Sequence, residues 1–253
     1  MSNFSVRDHT IDQINQHFYT SVAESFATTR ETPWEGFLPI LAYINEGNSL
    51  LDLACGNGRL YHFLEKYIKV NYHGSDMSAE LLEKARASGV PNLIHKNWEL
   101  SLAQNNQYDV VTCFGFLHHL SSVEQLTSLF DQAYHHADIV IISRWNCIMN
   151  TSLMARQLDL TSFAGQNFLK HYNLDAEEFT TFEFLLDWQR SVEAIRYVRY
   201  WTDQELQVIW NKLGLKIVDT WLADGKSNAE NSYFVLQKIP YIETKVVTEK
   251  TDK

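Results

Sequence analysis

The residues with the clearest chemical potential lie in Leu50–Leu60, which reads Leu-Leu-Asp-Leu-Ala-Cys-Gly-Asn-Gly-Arg-Leu. An apolar run that stops in small residues reads as a buried strand ending abruptly. Leu60, Phe63, Leu64 and Tyr67 then recur at helical spacing, so a helix is predicted from Arg59 to Tyr67. Ala54, Gly56, Asn57 and Gly58 therefore form a tight strand-to-helix turn, with Asp52 just before it. Glycine in such a turn permits positive φ and removes the Cβ that would keep a ligand off the backbone. The helix start behind it offers unpaired N–H groups and partial positive charge, which suit the polar end of a ligand. Tyr-His-Gly-Ser-Asp-Met closes a second strand at Asp76 and Met77. A carboxylate at that point, roughly 20 residues past the glycines, can accept both hydroxyls of a ribose. Asn97-Trp98 and Phe114 to His119 follow two later strands.

These residues need a scaffold that brings several strand ends together. Ile11, Ile14, Phe18, Val22 and Phe26 predict a first helix with one apolar face. A second helix is expected around Pro39, with Phe37, Leu38, Leu41 and Ile44 inward. Strands over 50–54, 72–76, 92–95, 108–114 and 139–143 then alternate with helices, two of them at Ser78–Ser88 and Val123–Tyr134. Such alternation predicts a parallel sheet with helices on both faces. Ligands of these sheets bind beyond the strands' carboxyl ends, where the candidate residues converge. Residues 146–195 break the alternation, look helical in patches, and are expected to cover that edge as a lid. Thr202-Asp-Gln-Glu205 predicts a capped helix that Gly214 ends. Leu215–Trp221 and Ser232–Gln237 read as a final antiparallel pair.

The 253 residues, 45% hydrophobic, suffice for one large α/β core. A net charge of −10 argues against nucleic-acid binding by bulk charge but leaves room for a local basic site. Three cysteines, Cys55, Cys113 and Cys147, without paired spacing suit reduced thiols in a cytoplasmic protein. No apolar run reaches the length of a membrane span, and no secretory leader is read at the start. Adjacent histidines at 118–119 and 135–136 are expected to point apart, so no metal site is predicted.

The strand, acid, alternating small residues and second acid resemble the class I S-adenosylmethionine-dependent methyltransferases. The resemblance implies a Rossmann-like doubly wound sheet of seven strands, with N-terminal helices and a helical insertion after the fifth strand. Length and composition predict one domain over 1–240, with 146–195 inserted, and the polar residues 241–253 read as a flexible tail. The implied cofactor is S-adenosylmethionine, held by Tyr19, Asp52, Ala54, Gly56, Asn57, Gly58, Asp76, Met77, Asn97, Trp98 and Phe114. Asn97 stands where the superfamily has an acid, and its amide oxygen can still accept a hydrogen bond. The missing third glycine at G-x-G-x-x-G spacing argues against a dinucleotide.

A finer resemblance is to the wobble-uridine tRNA methyltransferases, which esterify 5-carboxymethyluridine and also occur fused to an AlkB homologue. It rests on Tyr19, Ala23, Phe26, Thr29, Arg30, Pro33 and Trp34, on Asp109 through Ser121, on Trp145, and on Arg199-Tyr200-Trp201 with Glu230-Asn231. It implies tRNA as partner, with Arg30 and Arg199 gripping a carboxylate and Trp145 and Tyr200 as walls. Arg190, Arg196 and Arg199 with Tyr197 and Tyr200 form a basic-aromatic run able to meet phosphate or a stacked base. The chain departs from that family at Ala54, at His135-His136-Ala137 and at Ser232. A small-molecule O- or C-methyltransferase and a non-catalytic cofactor-binding module are the alternatives. The eukaryotic members of that family use a small activator subunit.

Overall fold

The computed structural model describes residues 4–28, 32–103, 106–188 and 194–238, without the side chains of 26–28. Helix α1 (Val6–Thr28) buries Ile11, Ile14, Phe18 and Val22 along one face. A 3-10 segment, Glu35–Ala42, replaces the expected second α-helix. With three residues per turn Phe37 and Ile40 share the inner face, which leaves Leu38 outside at 56% exposure.

Strands and helices then alternate as β1 (Ser49–Leu53), α2 (Arg59–Leu64), β2 (Asn71–Asp76), α3 (Ala79–Ala87), β3 (Leu93–His95), α4 (Trp98–Leu102), β4 (Val110–Cys113), α5 (Val123–His136) and β5 (Ile139–Trp145). Helix α2 ends before Tyr67, which is exposed rather than inward. Ser78 caps α3, its hydroxyl accepting from Leu81 N at 3.2 Å.

Residues 146–200 hold α6 (Thr151–Met154), α7 (Phe163–Tyr172) and an antiparallel pair, β6 (Glu183–Asp187) and β7 (Ile195–Arg199). The sequence reading missed this pair. Leu185 and Tyr197 from it pack on Ile11 and Ile14 of α1. The chain closes with α8 (Asp203–Lys212), β8 (Leu215–Ala223) and β9 (Asn231–Lys238).

The large sheet runs β3-β2-β1-β4-β5-β9-β8. Strands β1 to β5 pair in parallel, and β9 joins β5 and β8 antiparallel. Val110, Val111, Val140, Ile141 and Ile142 are buried, as a sheet covered on both faces requires. Strand order reverses between β1 and β4, so the crevice of a doubly wound sheet opens beside the glycine turn.

The 3-10 segment locks onto the far strands through Asp224. Asp224 Oδ1 accepts from Gly36 N at 3.0 Å, and Oδ2 accepts from Tyr233 OH at 2.5 Å. Tyr233 stacks on Trp221 at 5.3 Å, and Trp221 Nε1 donates to Gly36 O at 3.0 Å. A Cβ on Gly36 would lie 2.1 Å from Tyr233 Cε2. Gly36→Ala is therefore expected to lower stability by about 2–3 kcal/mol through overpacking. A urea melt with unchanged midpoint would contradict this packing.

Candidate active site

The carboxyl ends of β1, β2, β4 and β5 open into a cavity of about 600 Å³, within the range of small-ligand sites. Asp12, Asn15 and Tyr19 of α1 and Arg196 of β7 line it from above. No described residue between 146 and 195 lines it. The lid expected there is thus corrected: the residues of the cover that face the cavity come from α1 and from Arg196 of β7, the strand that pairs with β6.

The turn after β1 has positive φ at Ala54 (56°), Gly56 (57°) and Gly58 (81°). The glycines serve different ends. A Cβ on Gly56 would meet nothing within 4 Å, so its backbone faces open space in the cavity wall. A Cβ on Gly58 would strike Val90 Cγ2 at 2.4 Å, and Gly58 does not line the cavity. Gly58 is a packing residue, which corrects its expected contact with a ligand. Helix α2 has six residues, so its N-terminus adds less than the sequence reading assumed.

Asp76 lines the cavity with both oxygens anchored from behind. Oδ2 accepts from Gly56 N and Oδ1 from Ser78 N, each at 2.8 Å. Burial raises its pKa, and these two N–H donors work against that rise. Asp52 is held by Tyr72 OH at 2.7 Å and Thr112 Oγ1 at 2.8 Å. Burial nevertheless pushes the Asp52 pKa up to about 7. Ala54, Asn57, Met77, Asn97, Trp98 and Phe114 also line the cavity. Asn97 is less available than expected, because its Oδ1 caps α4 by accepting from Leu100 N at 2.9 Å.

The opposite end is aromatic and cationic. Trp145, His118, His119 and Arg196 line it together. His118 and His119 do not diverge as predicted. They sit on a 3-10 turn, Leu117–His119, with ring centroids 4.0 Å apart. His119 Nε2 is 2.8 Å from Tyr19 OH. Burial, aided by the Arg196 charge, lowers the His119 pKa to about 3, so its ring is neutral near pH 7. Arg196 is 7% exposed, with its guanidinium 4.9 Å from the Trp145 ring and 5.4 Å from Phe18. It has no ion-pair partner among the described residues.

Arg199 and Tyr200 are elsewhere, which corrects their expected place in the site. Arg199 donates to Glu205 Oε1 at 2.8 Å and lies 3.7 Å over Trp201. Tyr200 packs against the Arg144 guanidinium at 5.1 Å. In a strand, positions 196 and 199 face opposite ways, so the basic-aromatic run is not one surface. Arg30 and Arg190 lie outside the described residues. Ser232, where the resemblance implies tryptophan, accepts from Arg144 Nη2 at 3.0 Å and holds a buried polar node. Asp12, Asn15 and Arg59 line the cavity and were not singled out from the sequence. Asp12, Asn15 and Tyr19 follow helical spacing beside the apolar face, a polar stripe that would have marked them.

Among the described residues no cluster of His, Cys, Asp or Glu is placed to hold a metal ion, and no helix is long and apolar enough to cross a membrane.

Residues 51–138 match a family model described as a methyltransferase domain. A stretch of 131 residues is 24% identical to tRNA (carboxymethyluridine(34)-5-O)-methyltransferase ALKBH8 of Macaca fascicularis. That match takes in 49% of this chain and 18% of the relative, so the chain spans less than a fifth of that protein's length. A methyltransferase structure from Clostridium acetobutylicum superposes with a TM-score of 0.58 at 17% identity, covering 88% of this chain and 96% of its own. Magnesium protoporphyrin IX methyltransferase of Synechocystis, solved with bound S-adenosylmethionine, gives a TM-score of 0.54 at 13% identity, covering 94% and 100%. At such identities these structures speak to fold, which is the class I methyltransferase fold. Residues 51–138 thus match a methyltransferase domain, and the sheet that carries them has the class I methyltransferase fold.

Proposed function

We propose that the enzyme methylates a carboxylate oxygen. The specific acceptor we favour is 5-carboxymethyluridine at the tRNA wobble position, which the likeness to the macaque enzyme supports. The observation that carries the reading is Arg196, a buried guanidinium facing the cavity without an acidic partner among the described residues. A carboxylate laid against it gains charge-assisted, bidentate hydrogen bonds.

The residues present fit the donor. The open backbone at Gly56 admits close approach, and the anchored Asp76 keeps lone pairs for a ribose diol. Phe114, Trp98 and Tyr19 offer aromatic faces that favour a nearby cation. S-adenosylmethionine, when bound, supplies an electrophilic methyl group on a sulfonium. The protein's own task is then positional. Arg196 holds the acceptor, Trp145 and Phe18 keep the guanidinium in place, and α1 excludes water. A carboxylic acid is already ionised near neutral pH, so no general base is required. The neutral His119 is free to orient Tyr19 rather than take a proton.

A free small carboxylic acid is the second reading. It is favoured by the burial of Arg196 and the pairing of Arg199, which leave the described surface without the cationic run the sequence implied. Methyl-labelled donor incubated with tRNA bearing 5-carboxymethyluridine, and separately with a panel of free acids, tests both. The product expected is an ester that releases labelled methanol in mild alkali. Donor binding with no alkali-labile label from either source would end the carboxylate reading.

A further inference from the structure

We propose that Asn15 of α1 is a second hydrogen-bond donor of the acceptor site, placed beside Arg196, and that it selects a carboxylate over the neutral carboxamide of the same shape. The inference rests on the carboxylate reading above and deepens it. Asn15 lines the cavity and is 5% exposed. Its Oδ1 accepts from Tyr197 N at 2.9 Å. A backbone N–H only donates, so the oxygen end of the amide faces β7 and the nitrogen end faces away from that bond. Tyr197 directly follows Arg196 in β7, so the amide is fastened one residue from the cation.

Asn15 Nδ2 is buried and has no hydrogen-bond partner among the described residues. Nearly all buried polar groups are paired, because an unmet donor away from water is costly. An orphaned donor on a cavity wall therefore marks a bond that a ligand completes. Arg196, on the same wall, has no acidic partner among the described residues. Two unclaimed donors thus belong to one cavity, and neither the guanidinium nor the amide nitrogen can accept. The group that satisfies both presents two accepting oxygens. A carboxylate does so, with charge-assisted bonds to the guanidinium. A carboxamide has one such oxygen, and its NH2 set against either donor leaves both unpaired.

The test compares the nucleosides 5-carboxymethyluridine and 5-carbamoylmethyluridine by calorimetry on the full chain saturated with S-adenosylhomocysteine. The wild type should bind the carboxylate about 100-fold or more tightly than the carboxamide. Asn15→Asp keeps an acceptor for Tyr197 N and replaces the outward NH2 by an oxygen. It should bind the carboxamide about fivefold more tightly than the wild type does, and the preference for the carboxylate should fall to about fivefold or less. A charge acting only through space would weaken the carboxylate and leave the carboxamide unmoved, and a merely structural role would weaken both alike. Asn15→Ser is neutral and too short to reach the acceptor. It should lower carboxylate affinity by about tenfold with the carboxamide within about twofold, and it decides the matter where the aspartate variant lacks a cooperative melt. A folded Asn15→Asp chain that binds the carboxamide no better than the wild type makes Asn15 a strap between α1 and β7, which overturns its role and leaves Arg196 standing. Unchanged carboxylate affinity in Asn15→Ser does the same. A wild type that binds neither nucleoside, or both alike, overturns the carboxylate reading itself.

Discussion

Asp76→Ala should weaken binding of S-adenosylmethionine and of its demethylated product by about 100-fold or more, equivalent to about 3 kcal/mol. Two charge-assisted hydrogen bonds to a ribose diol are together worth roughly that much. A second effect acts in the same direction. Removing the carboxylate strips Gly56 N and Ser78 N of their 2.8 Å partners. The glycine turn then loses the strap that joins it to the end of β2, and its open backbone at Gly56 is no longer held toward the cavity. Asp76→Asn separates the two contributions. It keeps the shape but must turn an NH2 toward one of the two N–H donors, so it should disturb the turn while retaining one acceptor. Its affinity should fall between the wild type and the alanine variant. Calorimetry with the demethylated product, alongside a thermal melt, reads both. An alanine variant that binds as the wild type does would remove Asp76 from the ribose role.

The parallel half of the fold was legible because each of its signals is local. Buried strands read as apolar runs, and the serine at 78 and the Thr202–Glu205 box announce their helices. The glycine turn was legible as a turn, but the different duties of Gly56 and Gly58 were not. Gly58 answers to Val90, which is distant in sequence and touches it only once α3 has packed. The roof was hidden for the same reason. Glu183–Asp187 and Ile195–Arg199 are short strands whose partners are each other and α1, not the main sheet. Without the period of two, Arg196 and Arg199 looked like members of one basic face. With it they separate, one to the cavity and one to Glu205. The α1 stripe of Asp12, Asn15 and Tyr19 needed no tertiary knowledge, only attention to the helical positions flanking the apolar ones.

The separation of those two arginines yields the sharpest functional expectation. On the carboxylate reading proposed above, Arg196→Met should lower kcat/KM for the acceptor by about 100-fold or more, since holding and aligning the reacting oxygen would then be the main contribution of the site. Donor affinity should stay within about twofold, because no part of the glycine turn or of Asp76 touches this side chain. Methionine fills much of the arginine volume between Phe18 and Trp145, so the loss reads as lost charge rather than a cavity. Stability should move the other way. A guanidinium at 7% exposure with no acidic partner among the described residues is a costly group to bury, and only the two aromatic faces offset it. Replacing it by an apolar chain should raise the melting temperature while turnover falls. That opposition is the mark of a residue kept for its ligand. Arg199→Met provides the contrast. It leaves Glu205 without its 2.8 Å partner and should cost stability, with little direct effect on the acceptor. An Arg196→Met enzyme that esterifies its acceptor at the wild-type rate, or that melts earlier than the wild type, would show that this cation belongs to the scaffold and not to the chemistry.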